Sequence, residues 1–256
     1  MRKLRSRRLS QEPHLNPLRI AVLTPHATPG PENEFPAMAP GRLVVHVVRV
    51  GGDDDPPITP AVLRALTTPA VLDEAAERLR SDSIDAVAYA STTSAYAIGF
   101  VTETAMTSQL AERLGVPVVA TCASAVRALS ALEVERVALV GAPWFDTELN
   151  ELGTAYFRSQ GFEVISSRSA ELSQDPGRIE PAAVYEWTSQ HVEDEAEAIF
   201  IGGNGFRAAR AIEQLESAID RPVLTSNQVL LWNLLAQTKT SWEINGYGRL
   251  FRALVK

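Results

Sequence analysis

The chain of 256 residues holds one cysteine, Cys122. It can therefore form no internal disulfide and no cysteine-based zinc cluster, which suits a reducing cytoplasm. Long apolar runs are missing too: none approaches the roughly 20 residues that cross a bilayer, so no membrane partner is expected. The four histidines, His14, His26, His46 and His191, lie far apart and show no ligand spacing, so no metal is expected. Positive charge is scarce. A formal net charge of −7 argues against a dominant nucleic-acid surface, because phosphate binding needs a clustered positive field. The one basic cluster, Arg2, Lys3, Arg5, Arg7 and Arg8, is followed by no apolar segment of the kind a secretory signal requires. Residues 1–17 read as a disordered tail.

What is present is a globular composition. Hydrophobic residues make up 45% and charged residues 21%, enough apolar side chain to offset the entropy of ordering the chain. Short apolar runs alternate with helical patterns. Leu18 to Leu23 reads as a strand that stops at Thr24-Pro25 and opens into a loop from His26 to Pro36. Val44 to Val50 is a second strand, Asp53-Asp54-Asp55 a solvated acidic turn, and Pro60 to Arg80 a helical region. Ala86 to Ala90 is a third strand, Tyr96 to Leu114 a helix, Val116 to Ala120 a fourth strand and Ala123 to Leu132 the helix after it. Such alternation predicts mainly parallel, buried sheets.

The second half repeats the first. Arg136 to Val140 followed by Pro143 matches Arg19 to Leu23 followed by Pro25; Glu197 to Gly203 matches Asp85 to Ser91; Pro222 to Asn227 matches Pro117 to Cys122. Three collinear matches point to duplication. The predicted fold is α/β, with two pseudo-symmetric lobes, each a mainly parallel sheet flanked by helices. Lobe 1 comprises 18–120 plus 225–256 and lobe 2 comprises 121–224. Ligands of open parallel sheets bind outside the carboxyl ends of the strands, so the active cleft is expected between the lobes.

Ser91-Thr92-Thr93-Ser94 and Gly202-Gly203-Asn204-Gly205 each join a buried strand to a helix. Hydroxyls and unpaired N–H groups there favour an anion, a carboxylate above all, although Ser and Thr cap helices anywhere. The glycine-rich loop lacks the lysine and the full Gly-x-Gly-x-x-Gly spacing of a nucleotide site. No Gly-x-Ser-x-Gly turn surrounds Ser91.

The run Asp85 to Gly99, the stretch Ala198 to Asn233 with Arg207, Arg221-Pro222-Val223 and Ser226-Asn227-Gln228 followed by Trp232, and the closing Gly246 to Phe251 resemble the maleate isomerase and arylmalonate decarboxylase branch of the aspartate/glutamate racemase superfamily. The resemblance implies a two-lobed α/β protein acting on carbon acids without metal or organic cofactor, and a homodimer. It also implies one or two catalytic cysteines at the strand-end loops. Those positions fall on Ser91 and Gly203, so neither thiol is here, and Trp144 stands where a tyrosine is usual. Thr92, Thr93, Gly203, Asn204 and their backbone amides would bind the carboxylate and form an oxyanion hole. Trp144 would wall the pocket, and Asn227 would line the crevice.

Three residues are candidates for the missing acid or base. Ser91 needs an adjacent base to act as a thiolate does. His26, with Glu32 and Glu34 in the first strand-end loop, is a base suited to neutral pH. Cys122 matches Asn227 in the repeat and starts a helix, a place that lowers a thiol pKa, although a lone cysteine is also a common small core residue. Trp187, Trp232 and Trp242 read as core or interface. The expected function is a cofactor-independent isomerase or decarboxylase-like lyase acting on a small carboxylate or dicarboxylate through an enediolate, with a non-cysteine centre. A non-catalytic metabolite-binding homologue, and a biosynthetic enzyme for a larger unsaturated or keto acid, remain open alternatives.

Overall fold

Short strands that are apolar at successive positions need cover on both faces. The computed structural model, which describes residues 16–52, 57–79 and 83–255, supplies it with helices on either side of two sheets. Most of the expected tail and the acidic turn Asp53-Asp54-Asp55 lie outside the described residues. Strands β1 (Leu18–Thr24), β2 (Leu43–Arg49), β3 (Ala86–Tyr89) and β4 (Val118–Ala120) form a parallel sheet in the order β2-β1-β3-β4. Strands β5 (Arg136–Gly141), β6 (Glu163–Ser169), β7 (Ala198–Ile201) and β8 (Val223–Thr225) form a second parallel sheet in the order β6-β5-β7-β8. β3 and β7 are buried along their whole length, as central parallel strands must be.

The internal repeat has a direct counterpart in register. Leu23 lies beside Tyr89 and Tyr89 beside Ala120 in the first sheet. Val140 lies beside Ile201 and Ile201 beside Thr225 in the second. Two residues past the end of each triplet, Ser91 and Gly203 therefore occupy equivalent places, as do Cys122 and Asn227.

The helices differ from expectation in one place that matters for function. The stretch His26 to Pro36 is not all loop: α1 (Pro31–Met38) begins inside it. Pro31 sits in the first helical turn, where its missing N–H costs nothing, and Glu32 and Glu34 suit the positive end of the helix. Pro36 lies inside this short helix, a placement that argues for loop when the sequence alone is read. The predicted helical region after residue 60 splits into α2 (Pro60–Ala65) and α3 (Pro69–Glu77).

α4 (Thr92–Leu114) starts with Ser91 as its N-cap and is interrupted at Gly99, whose φ of +77° leaves the helical region. α5 (Thr121–Ala131) follows β4 without a loop, and α9 (Ser226–Gln237) follows β8 in the same way. α5 and α9 pack against each other. α6 (Thr147–Arg158), α7 (Pro181–His191) and α8 (Ile212–Ile219) cover the second sheet. Trp187 and Trp232 are buried in the core. No helix among the described residues is long and apolar enough to cross a membrane.

Candidate active site

Parallel strands that end in register present their first helical turns to one crevice. Here the crevice holds a cavity of about 50 Å³. About 10–15 Å³ admits one water, so the space is sized for a small acid group. From the first half come Thr24, His26, Thr28, Pro31, Glu32, Ile58, Thr92 and Thr93; from the second come Trp144, Gly203, Asn204 and Gly205. Trp144 meets Phe206 edge to face at 6.2 Å and forms an aromatic wall with it.

His26 Nε2 stands 3.1 Å from Ser91 Oγ and 3.2 Å from Thr93 Oγ1. Ser91 Oγ also accepts from the Ser94 N–H at 3.1 Å, as an N-cap does, and its hydroxyl donates to Ser94 Oγ at 2.8 Å. With that hydroxyl committed to Ser94, the His26 tautomer that bonds Ser91 carries its proton on Nε2. Ser91 is fully buried and does not line the cavity, whereas His26 and Thr93 do.

A polar seam joins the two halves beside this cluster. Asn204 Oδ1 accepts from the Thr92 N–H at 3.1 Å, the Thr92 hydroxyl at 3.2 Å and the Thr121 hydroxyl at 3.3 Å. The Gly203 N–H donates to Thr92 Oγ1 at 3.1 Å and Ser226 Oγ at 2.9 Å. Asn204 Nδ2 donates to Asn227 Oδ1 at 2.9 Å, and Asn227 Nδ2 donates to Glu34 Oε2 at 2.7 Å. Two amides expected to meet a ligand, those of Thr92 and Gly203, are thus engaged within the protein. Thr93, Asn204 and Gly205 open their helices, and first-turn N–H groups have no helical acceptor.

Gly203 adopts φ +112°, and a Cβ placed on it would lie 2.8 Å from the Ala142 Cβ. The position that carries a thiol in the resembled family is shaped here for glycine. A Cβ on Gly30 would lie 2.6 Å from the Asn204 carbonyl oxygen, so the loop before α1 presses on the same wall.

Cys122 is not brought to the cavity. Its thiol is fully buried, directed at the Thr92 carbonyl at 3.7 Å, and burial pushes its pKa well above the ordinary thiol value. The nearby Glu103 carboxylate raises it further. The helix-start position that lowers a thiol pKa is outweighed, because Glu103 already accepts from the Cys122 and Ala123 N–H groups at 3.2 and 3.0 Å. Asn227 lies behind Asn204 and holds it, and does not itself line the space.

Glu34 was legible only as a loop carboxylate beside Glu32. In the structure it is buried, accepts from Asn227 and from the Ala209 N–H, and is pushed up to about 7 by loss of hydration. Glu32 accepts from the Gly30 N–H at 2.8 Å and pairs with Arg49 at 3.2 Å, steadying the loop that carries His26.

The family model for arylmalonate decarboxylase matches residues 68–251. No curated protein sequence matches the chain. Among solved structures, a cysteine-to-alanine variant of the maleate isomerase from Pseudomonas putida with maleate is 22% identical, with a TM-score of 0.81 over 92% of this chain and 98% of that one. A cysteine-to-serine variant of the Nocardia farcinica maleate cis-trans isomerase, with a covalently bound succinylcysteine intermediate, gives 22% identity and a TM-score of 0.81 over the same shares. A glycine-to-cysteine mutant of arylmalonate decarboxylase in the sulfate-associated form gives 21% identity and 0.78, covering 91% of this chain and 99% of that one.

Proposed function

Because the chain belongs to the arylmalonate decarboxylase family, we propose that it is a cofactor-independent enzyme of the isomerase or decarboxylase kind, acting on a small carboxylate with His26 in place of a thiol. The observation that carries this reading is the position of His26 Nε2, 3.2 Å from Thr93 Oγ1 and 3.1 Å from Ser91 Oγ, at the edge of the cavity. Imidazole exchanges protons near neutral pH, which the Ser91 hydroxyl and Gly203 do not.

In the decarboxylation this arrangement supports, the bond between the α-carbon and one carboxylate breaks, CO₂ leaves, and the electron pair passes into the remaining carboxyl group as an enediolate. Thr93, Asn204 and Gly205 line the cavity, and the Thr93 hydroxyl with the first-turn N–H groups of the three would meet the developing charge. His26, taken to the imidazolium by a proton from water, gives its Nε2 proton to the carbon and is left as neutral imidazole, which a second proton from water recharges. Ile58 and Trp144 offer an apolar wall to a side chain on that carbon. Proton transfer is favoured over nucleophilic addition, because the Ser91 hydroxyl is covered.

A second reading, a metabolite-binding protein without turnover, draws support from the Thr92 and Gly203 amides, whose engagement inside the protein removes two donors from a reacting oxyanion. One experiment separates the two. The protein is incubated in deuterated buffer with maleate and with aryl- and alkyl-malonates and followed by proton NMR. Decarboxylation, isomerisation or deuterium uptake at carbon supports the enzyme. Saturable binding of a carboxylate with no change in any of them overturns it in favour of the binder.

A further inference from the structure

A second cavity, of about 380 Å³, lies on the far side of the wall that bounds the cleft. The same two segments build both spaces. α1 presents Pro31 and Glu32 to the cleft, and Asn33 and Glu34 to the second cavity. The segment after β7 presents Gly203, Asn204 and Gly205 to the cleft, and Arg207 and Arg210 to the second cavity.

Arg207 is held in an unusual way. Its backbone adopts φ +53°, a conformation that L-residues avoid, between two short 3₁₀ turns at Asn204–Phe206 and Ala208–Ala211. Its Nη2 donates to the Pro176 carbonyl at 2.8 Å, while its buried Nε has no hydrogen-bond partner. Arg210 is exposed at the rim. The carboxylates that face them are Glu34, buried in the floor, and Glu180, exposed at the edge. Glu34 feels the two guanidinium charges through space and spends its own hydrogen bonds on Asn227 and the Ala209 N–H. A pair of guanidinium groups over a roomy hollow, one fixed by strained backbone and short of a partner, is a fork awaiting an oxyanion.

We propose that this second cavity binds a small oxyanion-bearing molecule, its carboxylate or phosphate oxygens on Arg207 and Arg210. The cavity floor is joined to the wall of the cleft by hydrogen bonds: Glu34 Oε2 accepts from Asn227, which accepts from Asn204, and Asn204 lines the cleft. An anion beside the arginines offsets the charges that hold Glu34 ionised, so it draws a proton onto Glu34 as it binds.

The test is isothermal titration of the full chain at pH 7 with succinate and, separately, with inorganic phosphate, each in two buffers of different ionisation enthalpy. Cleft occupancy is read in parallel as the fluorescence change that Trp144→Phe removes, since Trp187, Trp232 and Trp242 also emit. The expected result, for at least one probe, is a binding event silent to Trp144. It weakens about tenfold or more in Arg207→Gln/Arg210→Gln, and it takes up more protons in the wild type than in Glu34→Gln, the difference with each probe being Glu34's share. The probe that shows it tells whether a carboxylate or a phosphate is preferred. Arg210→Gln alone, at an exposed position, controls for loss of the fold. If neither probe gives an event that depends on the arginines while circular dichroism shows the variants folded, the site does not exist. None of these readouts depends on turnover in the cleft.

Discussion

His26 Nε2 lies 3.1 Å from Ser91 Oγ, tying the loop after β1 to the N-cap of α4 across 65 positions of chain. The serine is fully buried behind the imidazole, so it orients the ring and does not meet substrate. Ser91→Ala is expected to lower kcat by up to about 10²-fold, the cost of a loosened catalytic group, because Thr93 still holds the ring. Loss of the cap costs about 1 kcal/mol of stability. Complete loss of turnover with unchanged substrate binding makes Ser91 a nucleophile and contradicts the assignment.

Cys122→Ala is expected to leave kcat within about twofold, since the thiol faces the Thr92 carbonyl inside the core. Its cost is packing, on the order of 1 kcal/mol. Native protein should resist thiol alkylation until it is unfolded, which a mass measurement after brief iodoacetamide treatment checks. Rapid labelling of the folded protein, with inactivation, is the opposing result.

Gly203→Cys, which restores a thiol at the position the resembled family uses, should not create a working thiol site. The new Cβ needs the space of the Ala142 Cβ, 2.8 Å away, at a φ of +112° that side chains avoid. A loss of about 1–3 kcal/mol in urea denaturation is expected, partly recovered by adding Ala142→Gly. An unchanged midpoint overturns this account of the loop.

Glu34 and Glu103 are both held at about 7, above the ordinary 4.5, chiefly by burial. The folded protein thus keeps protons that the unfolded chain sheds between pH 4.5 and about 7. This contribution to stability is fully present below pH 4.5 and is lost as pH rises to about 7. The loss proceeds at up to about 1.4 kcal/mol per pH unit for each group. The stability of wild type relative to Glu34→Gln should therefore fall across that window. A difference that is flat with pH shows the carboxyl to titrate normally.

Seven of the eight strands were legible because each apolar run stops at a turn residue or at the start of a helix; β6, whose Ser166, Ser167, Arg168 and Ser169 break the apolar run, was not, and neither was the order of strands within each sheet. The repeat of Leu23, Tyr89 and Ala120 as Val140, Ile201 and Thr225 even placed the equivalent residues correctly. The cavity residues His26, Thr92, Thr93, Trp144, Gly203 and Asn204 followed from those strand ends. α1 was hidden by Pro31 and Pro36, which read as loop, and with it went the burial of Glu34. Cys122 misleads for another reason: register fixes the end of the strand it follows but not what surrounds the side chain. Its partner Asn227 holds Asn204, while the thiol packs inward under Thr92. Arg207 was legible as part of the family resemblance and Arg210 not at all, and in neither case did the sequence show that the fold sets the side chain over a second cavity.

The central claim is that His26 moves the proton. The most direct test compares wild type with His26→Gln on whichever carboxylate shows deuterium incorporation at carbon, at equal occupancy of the cleft. The account predicts a fall of about 10²–10⁴-fold in the rate of incorporation in the variant, with substrate binding little changed. Incorporation at the wild-type rate in a folded His26→Gln protein contradicts it.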